Sequence, residues 1–159
     1  MSAPSPAERL QSTAAPWVHL FVAGGDAAPP PPPPGFVERV LDGRRCATKR
    51  ALLDEFARVL AFPPHFGRTW DALEDCLTDL DWLPGAGYRL VIRAADQLLP
   101  RDAAGYAALV PLLEDVGRAW GTAATGHPGR GAVPFHTVLV VPAKRIGTRP
   151  NWRAPRLSG

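Results

Sequence analysis

Few folds can accept the stretch from Phe135 to Val141. Its apolar side chains fall on both parities of an extended chain, so a strand here predicts burial on both faces, as in a parallel sheet. Parallel neighbours cannot be joined by tight hairpins; each needs a crossover, usually a helix. The rest of the chain supplies that alternation. Trp17 to Val22 and Phe36 to Leu41 are β-rich runs, the second closed by the Asp42-Gly43 turn signal, and Tyr88 to Arg93 is a third. Between the later strands lie helical patterns. Thr48 caps a run in which Leu52, Leu53, Phe56, Val59 and Leu60 share one face, and Pro63-Pro64 ends it. A second helix is expected from about Thr69 to Leu80. A third runs from Gly105 to Trp120, where Pro111 predicts a later start or a kink. The reading is α/β with right-handed crossovers.

Pro29 to Pro34 is a run of six prolines, extended polyproline II of about 19 Å at roughly 3.1 Å per residue, read as a stiff loop between two strands. Residues 1–15 lack periodicity and are expected to be disordered. Residues 16–143 are the expected domain, with Gly121 to Pro134 as a long Gly/Pro loop, and 144–159 a basic flexible tail. The formal charge of +3 misleads about that domain. Between Phe36 and Ala143 stand 12 bases and 13 acids. Asp71, Glu74, Asp75, Asp79 and Asp81 fall within eleven residues that hold no base. A partner responds to that local sign rather than to the global one.

These acids lie on the Thr69–Leu80 helix. Ala72, Leu73, Cys76, Leu77 and Leu80 form its apolar stripe, and Asp71, Glu74, Asp75 and Thr78 the opposite one. Like charges at three- and four-residue spacing cost a few tenths of a kcal/mol per pair, and only Asp71 is well placed to gain from the helix dipole. Such a conflict is more often tolerated where a partner supplies the missing charge, although on these residues alone the stripe also reads as an ordinary solvated face.

The segment Phe62-Pro-Pro-His-Phe-Gly-Arg-Thr-Trp-Asp-Ala-Leu-Glu-Asp-Cys-Leu-Thr78 resembles the signature of the barstar family, intracellular inhibitors of the secreted ribonuclease barnase. The likeness runs ungapped from about Leu41 to Thr78 and more loosely to the last strand. It implies a three-stranded parallel sheet packed by about four helices, here extended by an extra N-terminal strand. It also implies inhibition by a helix, with its preceding loop, laid over a ribonuclease active site. Carried over by position, the partner contacts are His65, Gly67 and Thr69 from the loop and Asp71, Glu74, Asp75 and Thr78 from the helix, with Asp75 deepest. Asp115 is favoured for a further acid from the later helix, with Glu114 as the alternative. His65, Glu74 and Thr69 stand where the family's best-known member has tyrosine, tryptophan and asparagine. Glu74 therefore points to a more basic target, or to one that is not barnase-like. The implied partner is a basic-site ribonuclease bound 1:1; the rival is a module for another protein target.

Catalysis finds little support in the sequence. Ser2, Ser5, Ser12 and Ser158 lie outside the expected domain, which leaves no Ser-His-Asp arrangement. His19, His65, His127 and His136 show no metal spacing and read as ordinary surface or core residues. Gly126-x-x-Gly129-x-Gly131 has the wrong context for a phosphate-binding turn. Trp70 and Trp82 read as core, Cys76 as a packed inert thiol, and both cysteines as reduced. No cofactor is expected. Nucleic acid is not an expected partner, because an acidic helix repels phosphate although Arg149, Arg153 and Arg156 sit in the tail. With no signal-like leader and no apolar run of membrane-spanning length, a cytoplasmic protein is expected.

Overall fold

The computed structural model describes residues 2–24, 27–125, 129–147 and 154–157. The expectations placed on Gly126, His127, Arg149, Arg153 and Ser158 lie outside them. Four strands form one sheet in the order β1-β4-β3-β2: β1 (Val18–Ala23), β2 (Phe36–Asp42), β3 (Gly87–Arg93) and β4 (Phe135–Pro142). Every pairing is parallel, which supplies the direction of β1 that the sequence left open. The helices are a single turn, α1 (Pro6–Arg9), then α2 (Lys49–Leu60), α3 (Trp70–Asp79) and α4 (Ala103–Gly121). Pro111 lies inside α4, which starts before Gly105 rather than after it. The carbonyl that proline deprives of a partner belongs to Ala107, on the exposed side where water can serve it.

Strand parity divides the core in two. Tyr88, Leu90 and Ile92 of β3, with Phe135 and Leu139 of β4, pack against Leu52, Leu53 and Phe56 of α2, Leu73 and Leu77 of α3, and Leu113, Val116 and Trp120 of α4. Glu55 ties α2 to the end of β2. Its buried carboxylate accepts from the Asp42 amide at 3.0 Å and pairs with Arg58 at 2.8 Å. The opposite parity faces a different cover. Val138 joins Leu10 and Leu157 in a smaller cluster edged by Phe21 and Val140.

The terminal segments supply that cover. Residues 1–15 were expected to be disordered, yet Ser5 and Glu8 form a capping box on α1, and Leu10 is fully buried. The segment then crosses α4 at two glycines. A Cβ on Gly117 would stand 2.3 Å from Cβ of Trp17, and one on Gly121 2.1 Å from the Thr13 carbonyl oxygen. The end of the expected tail also docks: the Leu20 amide donates to Pro155, and the Leu157 amide donates back to Leu20. Local periodicity misses both segments, because each is held by single contacts far away in sequence.

A polar row crosses the same face of the sheet. Glu38, Arg89 and His136 are neighbours in register, and His19 joins them from β1. His136 donates Nε2–H to the Ser12 carbonyl at 2.6 Å, so its Nδ1 must accept from His19 Nε2, 2.9 Å away. Ser12 was placed outside the domain; it lies within the fold, but its hydroxyl serves the Ala14 amide. Burial, then the charges of His136, Arg9 and Arg89, pulls His19 down to about 3. Burial also lowers His136, against the bond to Ser12.

Two outcomes follow from this packing. Alanine is a better helix former than glycine by about 1 kcal/mol, yet Gly117→Ala should lower the melting temperature, because the rigid Cβ of Trp17 must move. A higher melting temperature would show that the N-terminal segment is not seated on α4. The histidine pair sets a pH dependence. Both folded pKa values lie below the ordinary 6.5, so its stability is complete above that value and is lost as the pH falls towards about 3. Melting curves between about pH 8 and about pH 5 should slope downwards with acid, less steeply in His19→Gln; equal slopes would sink the assignment.

Candidate functional site

The two stripes of α3 separate cleanly in space. Leu73 and Leu77 are buried, whereas Asp71 and Asp75 are exposed and Glu74 is half-buried. Thr69 caps the helix, its hydroxyl accepting from the Ala72 amide at 3.0 Å. Thr78 turns its hydroxyl onto its own helix, donating to the Glu74 carbonyl at 2.9 Å. Both threonine side chains therefore already have partners inside the fold.

Groups remote in sequence hold the C-terminal end of α3. The Trp120 indole donates to the Leu77 carbonyl at 2.8 Å. Arg130, from the long Gly/Pro loop, donates to the Asp79 carbonyl at 3.0 Å and pairs with Asp81 at 2.7 Å. Its guanidinium lies 4.3 Å from the Trp120 ring centre. The run from Asp71 to Asp81 holds no base in sequence, but in space its far end is offset by this arginine. Asp71, Glu74 and Asp75 have no ion pair among the described residues.

The loop before α3 hangs on two anchors. Phe66 is buried, meets Phe62 edge to face at 4.9 Å, and closes a turn through its amide to Pro63. Arg68 takes the left-handed conformation at φ 51°, costly for a residue with a side chain, and is held by Asp54 at 2.7 Å and by the Phe66 carbonyl. His65 and Gly67 stand exposed around these anchors. Trp70 and Trp82 are partly buried against the core; Lys49 sits 5.3 Å from the Trp70 ring centre, and the Trp82 indole donates to Leu60.

The acids feel one another. Partial burial raises the Glu74 pKa, and the charges of Asp115, Asp71 and Asp75 raise it further. Asp115 on α4 thus joins the field of the α3 acids. It is exposed and bound to Arg118 at 2.9 Å; Glu114 is half-buried. Behind this face Cys76 and Cys46 are free thiols. Burial pushes Cys46 up to about 12 and also raises Cys76, so both favour the protonated form. Among the described residues no cluster of His, Cys, Asp and Glu could hold a metal, and no helix is long and apolar enough to cross a membrane.

The sequence reading names the acids and both threonines as candidates but assigns no anchoring role to Phe66, Arg68, Asp54 and Arg130, which set the loop and the end of the helix. Arg68 carried a weak signal, since it lies directly before the helix cap. Arg130, 49 residues beyond Asp81, carried none. The family described as Barstar (barnase inhibitor) matches residues 36–139, about two thirds of the chain. No curated protein matches the chain. The matched span opens with β2 and runs into β4, taking in α2, α3 and α4. It leaves out β1, the proline run and both terminal segments.

Mutual repulsion at Glu74 has a measurable sign. A carboxylate raised in the folded state costs stability once it is ionised, and that cost is absent below its unfolded pKa. At neutral pH Glu74→Gln should stabilise the free protein by about 0.3 kcal/mol, a small rise in melting temperature. A fall on melting would mean that Glu74 has a structural partner.

Proposed function

The chain belongs to the barstar family, and from that premise we propose that it is a ribonuclease inhibitor, not an enzyme. The loop from Phe62 to Thr69 and the acidic face of α3 cover the active site of a barnase-like ribonuclease. The observation that carries this reading is the unpaired acid group of Asp71, Glu74 and Asp75 on a helix whose other side is locked into the core. A ribonuclease holds RNA phosphates with Lys, Arg and His, and carboxylates of fixed geometry take the place of those phosphates. The Trp120 and Arg130 contacts keep the helix from having to order on binding, which lowers the entropic cost of association.

Roles follow from what each side chain already does. Asp75, exposed and mid-face, is the central contact; Asp71 and Glu74 flank it, and Asp115 adds charge from α4. His65 and Gly67 meet the partner's rim. Thr69 and Thr78, whose hydroxyls are engaged, contribute shape and hold the helix. Asp81, paired with Arg130, adds little attraction. The complex is 1:1 and forms in the cytoplasm, without nucleic acid or cofactor. Glu74 adds charge beside Asp75 and so favours a target more basic than one that would receive an aromatic ring there. A protein target other than a ribonuclease would have to present the same basic concavity.

Asp75→Ala should weaken binding to a barnase-type ribonuclease by about 2 kcal/mol or more, roughly thirtyfold, a threshold set by interface hot spots in general, this family's own complex among them. The loss should appear mainly as faster dissociation. The free variant should melt no lower than the parent, since Asp75 has acidic neighbours and no ion pair. Calorimetry on the pair, beside melts of the free proteins, reads both. Parent-like binding, or unfolding of the free variant, would make the acidic helix structural.

A further inference from the structure

The proline run does not lie flat on the sheet. Between it and the sheet face opposite the three long helices is a groove of about 520 Å³. Its floor is Phe21, Val40, Val91 and Val140, and its roof runs from Ala27 to Pro32. Among the described residues Val40 is the one large apolar side chain left exposed, at 43%. The volume is that of a small-molecule site, and the wall is mainly apolar.

Charge enters only at the ends. Glu38 is committed to the fully buried Arg89 beside it, at 3.6 Å. Arg93, exposed where β3 ends, lines the other end. There Ala94 and Pro142 are shared with a second cleft of about 410 Å³ that includes Arg44, Lys144 and Arg145. Arg44 is paired with Asp42 and Arg145 with Asp96, while no acid among the described residues pairs with Arg93 or Lys144. The open end is therefore cationic and the interior neutral.

We propose that this groove binds a medium-chain aliphatic carboxylate, its alkyl chain under the proline run and its head group at Arg93 and Lys144. Charge complementarity sets the head, since an anion at the mouth meets two unpaired cations. The lining sets the body. An inserted peptide would bury carbonyls that need donors, but prolines have no N–H and the amides of the inner strands β3 and β4 are committed to the ladder. An alkyl chain makes no such demand, and it would cover Val40. The roof and the edge of the floor lie outside the span shared with the barstar family, so the site belongs to what this chain adds. It faces away from α3, so its outcome is independent of the inhibitor reading.

The test uses the full chain with methyl-labelled valines, titrated with decanoate below its micelle concentration at neutral pH, and with decanol as the uncharged match. Decanoate should shift the Val40, Val91 and Val140 methyls and bind at least tenfold tighter than decanol. Arg93→Gln should weaken decanoate about tenfold, leave decanol unchanged, and melt like the parent because Arg93 is exposed. Val40→Gln should weaken both ligands. Equal affinity for decanoate and decanol, shifts confined to methyls elsewhere, or no saturable binding would overturn the proposal.

Discussion

A parallel sheet has no side that it can leave to water, because its strands are apolar on both parities and their backbone bonds run only within the ladder. Everything else in this molecule is arranged around that requirement. On one face α2, α3 and α4 satisfy it with a continuous core. On the other the chain uses pieces that are not regular elements: one helical turn, a proline run and a short stretch of tail. Glycine at 117 and 121 lets the segment that follows the helical turn, at Thr13 and Trp17, pass over α4 at close range. The matched family span contains the first cover and almost none of the second.

The two covers differ in what they ask of the sheet. Helices need a smooth apolar surface, and Leu90, Ile92 and Leu139 provide one. Irregular segments carry backbone carbonyls that need donors, and the polar row provides those. His136 serves the Ser12 carbonyl, and Arg89 serves the Pro30 carbonyl. Arg89 and His136, odd choices for buried strands, thus have a common reason: they are donors for chain that has no ladder of its own, and His19 in turn donates to His136. The cost appears as the depressed pKa values of His19 and His136, which must stay neutral.

What could be read in advance follows the same division. Thr48 and Thr69 cap α2 and α3 as their residue types predict, and the strands fall within about a residue of their sequence limits, because these elements are specified by neighbours three to four positions apart. The apolar and acidic stripes of α3 were legible for the same reason. Leu10, the histidine pair and Arg130 were not, since each is explained only by a partner more than about 40 residues away. The later start that Pro111 predicts is overturned for a related cause. Proline in a helix is judged by local rules, and whether its orphaned carbonyl reaches water depends on which face the tertiary fold exposes.

The acidic stripe raises the question of why a fold would keep it. Repulsion among Asp71, Glu74, Asp75 and Asp115 works against α3, and the raised pKa of Glu74 is its signature. The helix stays in place because its other attachments do not involve that face: Leu73 and Leu77 in the core, the Thr69 cap, Trp120 at Leu77, and Arg130 at the last carbonyls. Arg130 is placed where it can steady the helix and offset Asp81 without reaching the central acids. Had the same guanidinium been carried within α3 one turn from Asp75, it would have relieved the repulsion and quenched the charge together. Keeping the compensating cation at the end of the helix steadies α3 and leaves Asp71, Glu74 and Asp75 without an ion pair among the described residues, which is what the proposed binding of a basic partner requires.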